Sequence, residues 1–192
     1  MTSAYKQVEI IIFSKIRPNA LLSEQWKMPT SMPDVNHAIK LSPFDSQKPD
    51  NALPQLLPPN DWKLNKIVKR LSNHGYTIIF HVAWIQDFFA KFNYPIHLFI
   101  PEHASSTPTT TMNGTIDITL NRYFNVAIDL ILGEPINDLT SVISSKALEK
   151  NFYNIKHGVA YFQLKQNRRM KSDELNYIDH PLYGILIKIM SF

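Results

Sequence analysis

Residues 113–135, NGTIDITLNRYFNVAIDLILGEP, constrain the fold more than any other stretch of this chain. Ile116, Ile118, Leu120, Arg122, Phe124, Val126, Ile128, Leu130 and Leu132 recur at every second position. Strand side chains alternate between two faces, so this series predicts β-structure with one face in a core. A single strand of that length would run more than about 50 Å, beyond ordinary strands, which demands a bend, bulge or hairpin near Asn121 to Tyr123. The sequence LNRYF lacks the Asn-Gly or Gly-X of a two-residue hairpin, so a continuous strand pair with a bulge or kink is expected. Arg122 then stands in the apolar phase.

Around this segment the chain reads as a mixture of strands and a few helices. YKQVEIIIF (Tyr5 to Phe13) predicts a first strand, apolar on both faces in its second half and so central in a sheet. From Met28 to Pro59 there are seven prolines and no glycine, which marks a long extended insertion. Asn60 or Asp61 is placed to cap a helix carrying Leu64, Ile67, Val68 and Leu71 at helical spacing and ending at Gly75. YTIIFHVAW (Tyr76 to Trp84) is a second strand, and Asp138 to Lys150 a less regular helix. VAYFQLKQNRR continues as a strand, ELNYID is expected to pair back on it after a turn at Met170 to Asp173, and LYGILIKIM closes the chain. The expected fold is α+β: a single domain over residues 1–192, with a Pro-rich insertion at about 28–59. Its antiparallel or mixed sheet resembles a ferredoxin-like core with added C-terminal strands, and one or two helices lie on one face.

No run approaches the roughly 18 apolar residues of a membrane-spanning helix. The start lacks the basic, apolar and small-residue zones of a secretory signal, so the chain is either cytosolic or has had an export signal removed. Without cysteine there are no disulfides, thiolate nucleophiles or cysteine-bound metals. Seven scattered histidines show no metal-ligand spacing, and no glycine-rich phosphate loop is present, so neither metal nor cofactor is expected. A net charge of +4 and a pI near 9.2 favour an anionic partner.

The densest chemistry lies in NRRMKSDELNYIDHP, residues 167–181. Arg122 and Arg168 each continue an apolar face by strand period, and a guanidinium in such a place needs an anion. An internal network of Arg122 and Arg168 with Glu174 and Asp179, and His180 in the adjoining turn, is one reading; a cationic pocket for a ligand carboxylate is the other. Under the first, Arg122→Ala costs several kcal/mol. The Asp179-His180-Pro181 sequence fits a strand-breaking turn better than a catalytic pair, because adjacent strand residues point to opposite faces. Basic and aromatic residues interleave in YFQLKQNRRMK and LNRYF, which suits a glycan strand with peptide carboxylates or single-stranded nucleic acid.

HVAWIQ (His81 to Gln86), GTIDITLNRYFNVAIDLIL (Gly114 to Leu132) and LKQNRRMKSDELNYIDHPLYGILI (Leu164 to Ile187) resemble the CsiV family of periplasmic peptidoglycan-binding proteins of Gram-negative bacteria. Asn125 and Asn176 stand where that pattern has His, and Phe124 where it has Leu. The resemblance implies a non-catalytic protein of the periplasm, exported by a signal absent from this sequence. It implies peptidoglycan as the ligand, a role in cell-wall synthesis and envelope integrity, and an outer-membrane lipoprotein activator of a penicillin-binding protein as a partner. An interaction module of the wall-synthesis machinery without glycan contact is the alternative, ahead of a nucleic-acid-binding domain or a wall hydrolase. The residues expected to meet the ligand are Arg122, Tyr123, Arg168, Arg169, Lys171, Tyr177 and Trp84.

Overall fold

The computed structural model describes residues 5–14, 16–41, 54–89, 94–102 and 107–191. The chain enters through β1 (Tyr5–Ser14), helix α1 (Pro18–Leu22) and three short strands, β2 (Trp26–Lys27), β3 (Ile39–Leu41) and β4 (Gln55–Leu56). A 3-10 turn (Pro59–Asp61) and helix α2 (Asn65–Asn73) lead to β5 (Thr77–Asp87), β6 (Ile96–Ile100), β7 (Thr111–Leu120) and β8 (Phe124–Pro135). Helices α3 (Ile136–Thr140) and α4 (Ser145–Asn151), with β9 (Phe152–Tyr153) and β10 (Ile155–Lys156), precede the final strands β11 (Val159–Met170), β12 (Leu175–Asp179) and β13 (Tyr183–Ser191).

The α+β class is borne out, with two large sheets in place of one. The first runs β12-β13-β1-β5-β4 and the second β10-β11-β8-β7-β6-β3. Neighbours are antiparallel except β3 against β6, and a small parallel pair, β2 with β9, stands apart. The inner faces share one core: Val8, Ile10, Ile12, Val82, Trp84, Ile185 and Ile187 from the first sheet meet Ile116, Ile118, Val126, Ile128, Phe162 and Leu164 from the second. Each such side chain contributes about 1.5–3 kcal/mol on burial. The opposite face of the first sheet is apolar as well. There Ile11 and Phe13 receive Leu64, Ile67, Val68 and Leu71 of the α2 region, which explains why β1 is apolar on both sides.

Helix α2 starts later than its sequence suggests, because Asn60 and Asp61 are taken up by the 3-10 turn and Leu64 at the N-cap makes no side-chain cap. The sheet supplies the missing acceptor. Glu9, fully buried in β1, accepts from the backbone N–H groups of Lys63 (2.7 Å) and Leu64 (2.9 Å), and its Oε1 lies 2.7 Å from His81 Nε2. Trp62 seals the cluster edge-on to His81, with ring centroids 4.3 Å apart, and donates its indole N–H to Leu57 O at 2.9 Å. At the far end Gly75 takes the left-handed conformation (φ 79°) that stops the helix. The expected helix from Asp138 to Lys150 divides into α3 and α4, the second capped by Ser144 Oγ accepting from Ala147 N–H.

Two sequence expectations about strand pairing are corrected. Strands β7 and β8 form a hairpin closed by the three residues Asn121–Tyr123, paired from Leu120 with Phe124 to Thr111 with Gly133. A three-residue loop does not need Asn-Gly; here Asn121 N–H donates to Tyr123 O across the turn, and Arg122 at the tip leaves the apolar phase for solvent. Nor does β12 pair back on β11. β11 runs against β8 throughout, β12 runs against β13, and residues 171–174 carry the chain from one sheet to the other.

Candidate functional site

The second sheet turns one face to the core and the other outward. Along β7 and β8 the outward phase reads Thr115, Asp117, Thr119 and Asn125, Ala127, Asp129, and the register sets these beside Lys165, Asn167 and Arg169 of β11. Thr119, Asn125 and Arg169 thus form one row across three strands, and Asp117, Ala127 and Asn167 the next. Because Ala127 is small and flanked by longer polar side chains, the second row is hollow in its middle. A cleft of about 400 Å³ opens there, lined by Asp117, Thr119, Asn125, Asn167, Arg168 and Arg169. Partial burial raises the Asp117 carboxyl above the usual carboxylate range.

The hairpin loop stands beside this cleft. Tyr123 is flanked by two guanidinium groups, with Arg122 Cζ 5.7 Å and Arg169 Cζ 5.5 Å from its ring centroid, both within cation–π reach. Arg122, Arg168 and Arg169 are exposed, and no ion pair to any of them occurs among the described residues. On the other side of Tyr123 lies a second cleft of about 290 Å³, whose walls include Lys6, Phe89, Arg122, Met170 and Lys171. Amides and hydroxyls that suit sugar hydroxyl and acetamido groups therefore adjoin cations that suit carboxylates, with an aromatic ring between them.

Five of the seven expected ligand residues gather here: Arg122, Tyr123, Arg168, Arg169 and Lys171. Trp84 does not. It points into the core with no exposure and donates its indole N–H to Gln86 Oε1 at 3.0 Å, so the alternation of β5 removes it from any ligand. Tyr177 lies on the other sheet, stacked on Phe13 at 6.3 Å with its hydroxyl donating to Asp179 Oδ1 at 2.6 Å.

The expected ion-pair network is likewise dispersed by the two-sheet topology. Glu174 lies 3.6 Å from Lys171, Asp179 is bonded by Tyr177 on the other sheet, and no ion pair joins either acid to Arg122 or Arg168 among the described residues. His180 is buried in the turn before β13, where its Nδ1 accepts from Leu182 N–H and its ring stacks on Tyr183 at 4.3 Å. Asp117, Thr119, Asn125 and Asn167 were not singled out by the sequence. Their signal was the polar half of the same alternation that marked the core.

Among the described residues no three His, Asp or Glu side chains converge as metal ligands, and no helix is long and apolar enough to cross a membrane. Neither the curated proteins nor the solved structures provide a match to this chain. The family model described as "Peptidoglycan-binding protein, CsiV" matches residues 1–192, and the chain therefore belongs to the CsiV family.

Proposed function

We propose that this protein binds peptidoglycan without cleaving it, in the periplasm of a Gram-negative cell, and supports cell-wall synthesis and envelope integrity. The observation that carries the reading is the Tyr123 ring held between the guanidinium groups of Arg122 and Arg169, which have no ion pair among the described residues, beside a cleft lined with Asn and Thr. Peptidoglycan offers both matching chemistries, polar sugar rings and stem peptides that carry carboxylates. A pI near 9.2 favours residence on such an anionic polymer. The non-catalytic part of the reading draws support from Glu9 and His81, the closest acid–base pair among the described residues, which are shut beneath Trp62 and occupied in holding α2. An outer-membrane lipoprotein activator of a penicillin-binding protein is the proposed partner, on family resemblance.

The test is retention on isolated sacculi at two salt concentrations, for the wild type and for Arg122→Ala/Arg169→Ala. Retention that survives the higher salt and falls in the double variant is expected. Absence of retention at both salts would sink the wall-binding reading, and release of soluble muropeptides would contradict its non-catalytic part.

A further inference from the structure

Strand β11 is flanked on one side by β8 along its whole length, but on the other, among the described residues, by β10 only at Val159 and Ala160. His157 and Gly158, both at positive φ, make the two-residue turn between β10 and β11, and Asn154 extends the pairing by one step. Tyr161 N–H donates to Asn154 O at 3.1 Å, and Tyr161 O accepts from Asn154 Nδ2 at 2.8 Å. The backbone polar groups of Tyr161 thus face away from β8. Such groups alternate sides along an antiparallel strand, and the register with β8 is unbroken from Val159 to Met170. Those of Lys165, Asn167 and Arg169 therefore face the same open margin. All three residues are exposed, and none has a further backbone partner there among the described residues.

We propose that this margin is a peptide-binding edge, which takes a short extended peptide bearing carboxylates by strand addition to residues 165–169. The inference rests on the wall-binding reading, under which that peptide is the stem peptide of peptidoglycan. The exposed backbone groups supply ladder hydrogen bonds that an incoming strand completes. The side chains set the sign of the partner: exposed Lys165 pairs with Asp129 at 2.9 Å, while Arg168 and Arg169 follow it along the strand without ion pairs among the described residues. A second copy of this edge would bring Lys and Arg against Lys and Arg, which disfavours self-pairing, whereas an anionic peptide is drawn in. Five residues span about 16 Å, room for a short peptide and little more.

Amide hydrogen exchange on the full chain, followed by NMR with free stem peptide added, tests this directly. The amides of Lys165, Asn167 and Arg169 should slow by about 10-fold or more, while those of Gln166 and Arg168, bonded to β8, stay as they were. Asn167→Pro removes one edge donor without touching the β8 ladder, since proline is tolerated where the N–H faces outward. It should abolish the protection while keeping the melting temperature; Asn167→Ala, which keeps the N–H and loses only the side chain, should weaken the protection less, and equal loss in both variants would overturn the edge assignment. If the proline variant does not fold, the alternating pattern in the wild type decides alone.

Glycan strands stripped of peptide that bind as well as sacculi, with no alternate protection by stem peptide, would overturn the edge assignment and leave the wall-binding reading standing. Failure to bind sacculi at all would overturn both. Protection by an acidic protein segment but not by stem peptide would overturn the assignment in favour of a protein partner.

Discussion

Replacing Glu9 tests how the helix is fastened to the sheet. Its carboxylate has no exposure and serves four donors: the N–H groups of Lys63 and Leu64, the His81 ring at 2.7 Å and, at 3.4 Å, the Gln7 amide, which also donates to Asp61 O. Leu64 is 4% exposed and the His81 side chain 8%, so Glu9→Ala leaves two nearly dry donors without an acceptor, at about 1–3 kcal/mol each. The Lys63 N–H, next to an exposed side chain, regains water and adds little. The sum is about 2–6 kcal/mol. Glu9→Gln keeps one carbonyl oxygen but turns an NH2 toward a donor, for about 2 kcal/mol. Urea unfolding at an unchanged m-value measures both. A double-mutant cycle of Glu9→Gln with His81→Gln should show coupling above about 1 kcal/mol. Glu9→Ala within about 0.5 kcal/mol of wild type, the range of an ordinary surface change, would refute the cluster as the anchor of α2.

Three further outcomes follow from the same geometry. Glu134 is buried beside Thr110 and near Asp138, and desolvation pushes its carboxyl up to about 7. The folded state then holds a proton that the unfolded chain has lost, so stability should fall as pH rises from about 4.5 to 7, by on the order of 3 kcal/mol, and Glu134→Gln should flatten that decline in a urea-midpoint series. A Cβ at Gly114 would sit 2.2 Å from Asp129 O and 2.6 Å from Leu130 Cα, both backbone atoms, so Gly114→Ala should cost about 3 kcal/mol or more by overpacking; an unchanged melting temperature would show that the β7–β8 hairpin opens readily. Arg122→Ala should leave stability within about 0.5 kcal/mol of wild type, the reverse of its sequence-based expectation, because the residue is an exposed loop tip; a large loss on thermal melting would mean that it has a buried partner.

What the sequence made legible is what strand periodicity controls. The alternation from Ile116 to Leu132 assigned the inward phase of β7 and β8 residue by residue, and the doubly apolar end of β1 announced a central strand. The same alternation misled where the chain turns. Arg122 continues the apolar phase by counting, but a three-residue loop interrupts the count and sends it to solvent. Trp84 looked available as an aromatic contact because nothing local shows that both faces of β5 are covered, one by the second sheet and one by the α2 region. Helix α2 hid its cap for a related reason: the acceptor is Glu9, more than fifty residues away, and no local capping box exists to be read. Residues 42–53 of the Pro-rich insertion, and Ala104 to Ser106 of the polar loop, lie outside the described residues.

The charge-rich stretch from Asn167 to Pro181 owes its character to the crossing between sheets. Read as a hairpin, its three cations and its acids would neutralise one another. The crossing limits that to Lys171 with Glu174, because β11 ends in one sheet and β12 begins in the other. Asp173, at φ 64°, pins the passage: its N–H donates to Ile189 O at 2.7 Å and its Oδ1 accepts from Ser191 N–H at 3.1 Å, a bond that holds its carboxyl below the usual carboxylate range. Glu174 is left to Lys171 and Asp179 to Tyr177. With its acids spent in the crossing and on the first sheet, the stretch leaves Arg168 and Arg169 without ion pairs among the described residues at the open edge of the second, beside Tyr123. A topology that separates opposite charges which the sequence places side by side keeps those guanidinium groups available for an anion from outside, and both the wall-binding and the strand-addition proposals draw on that one consequence.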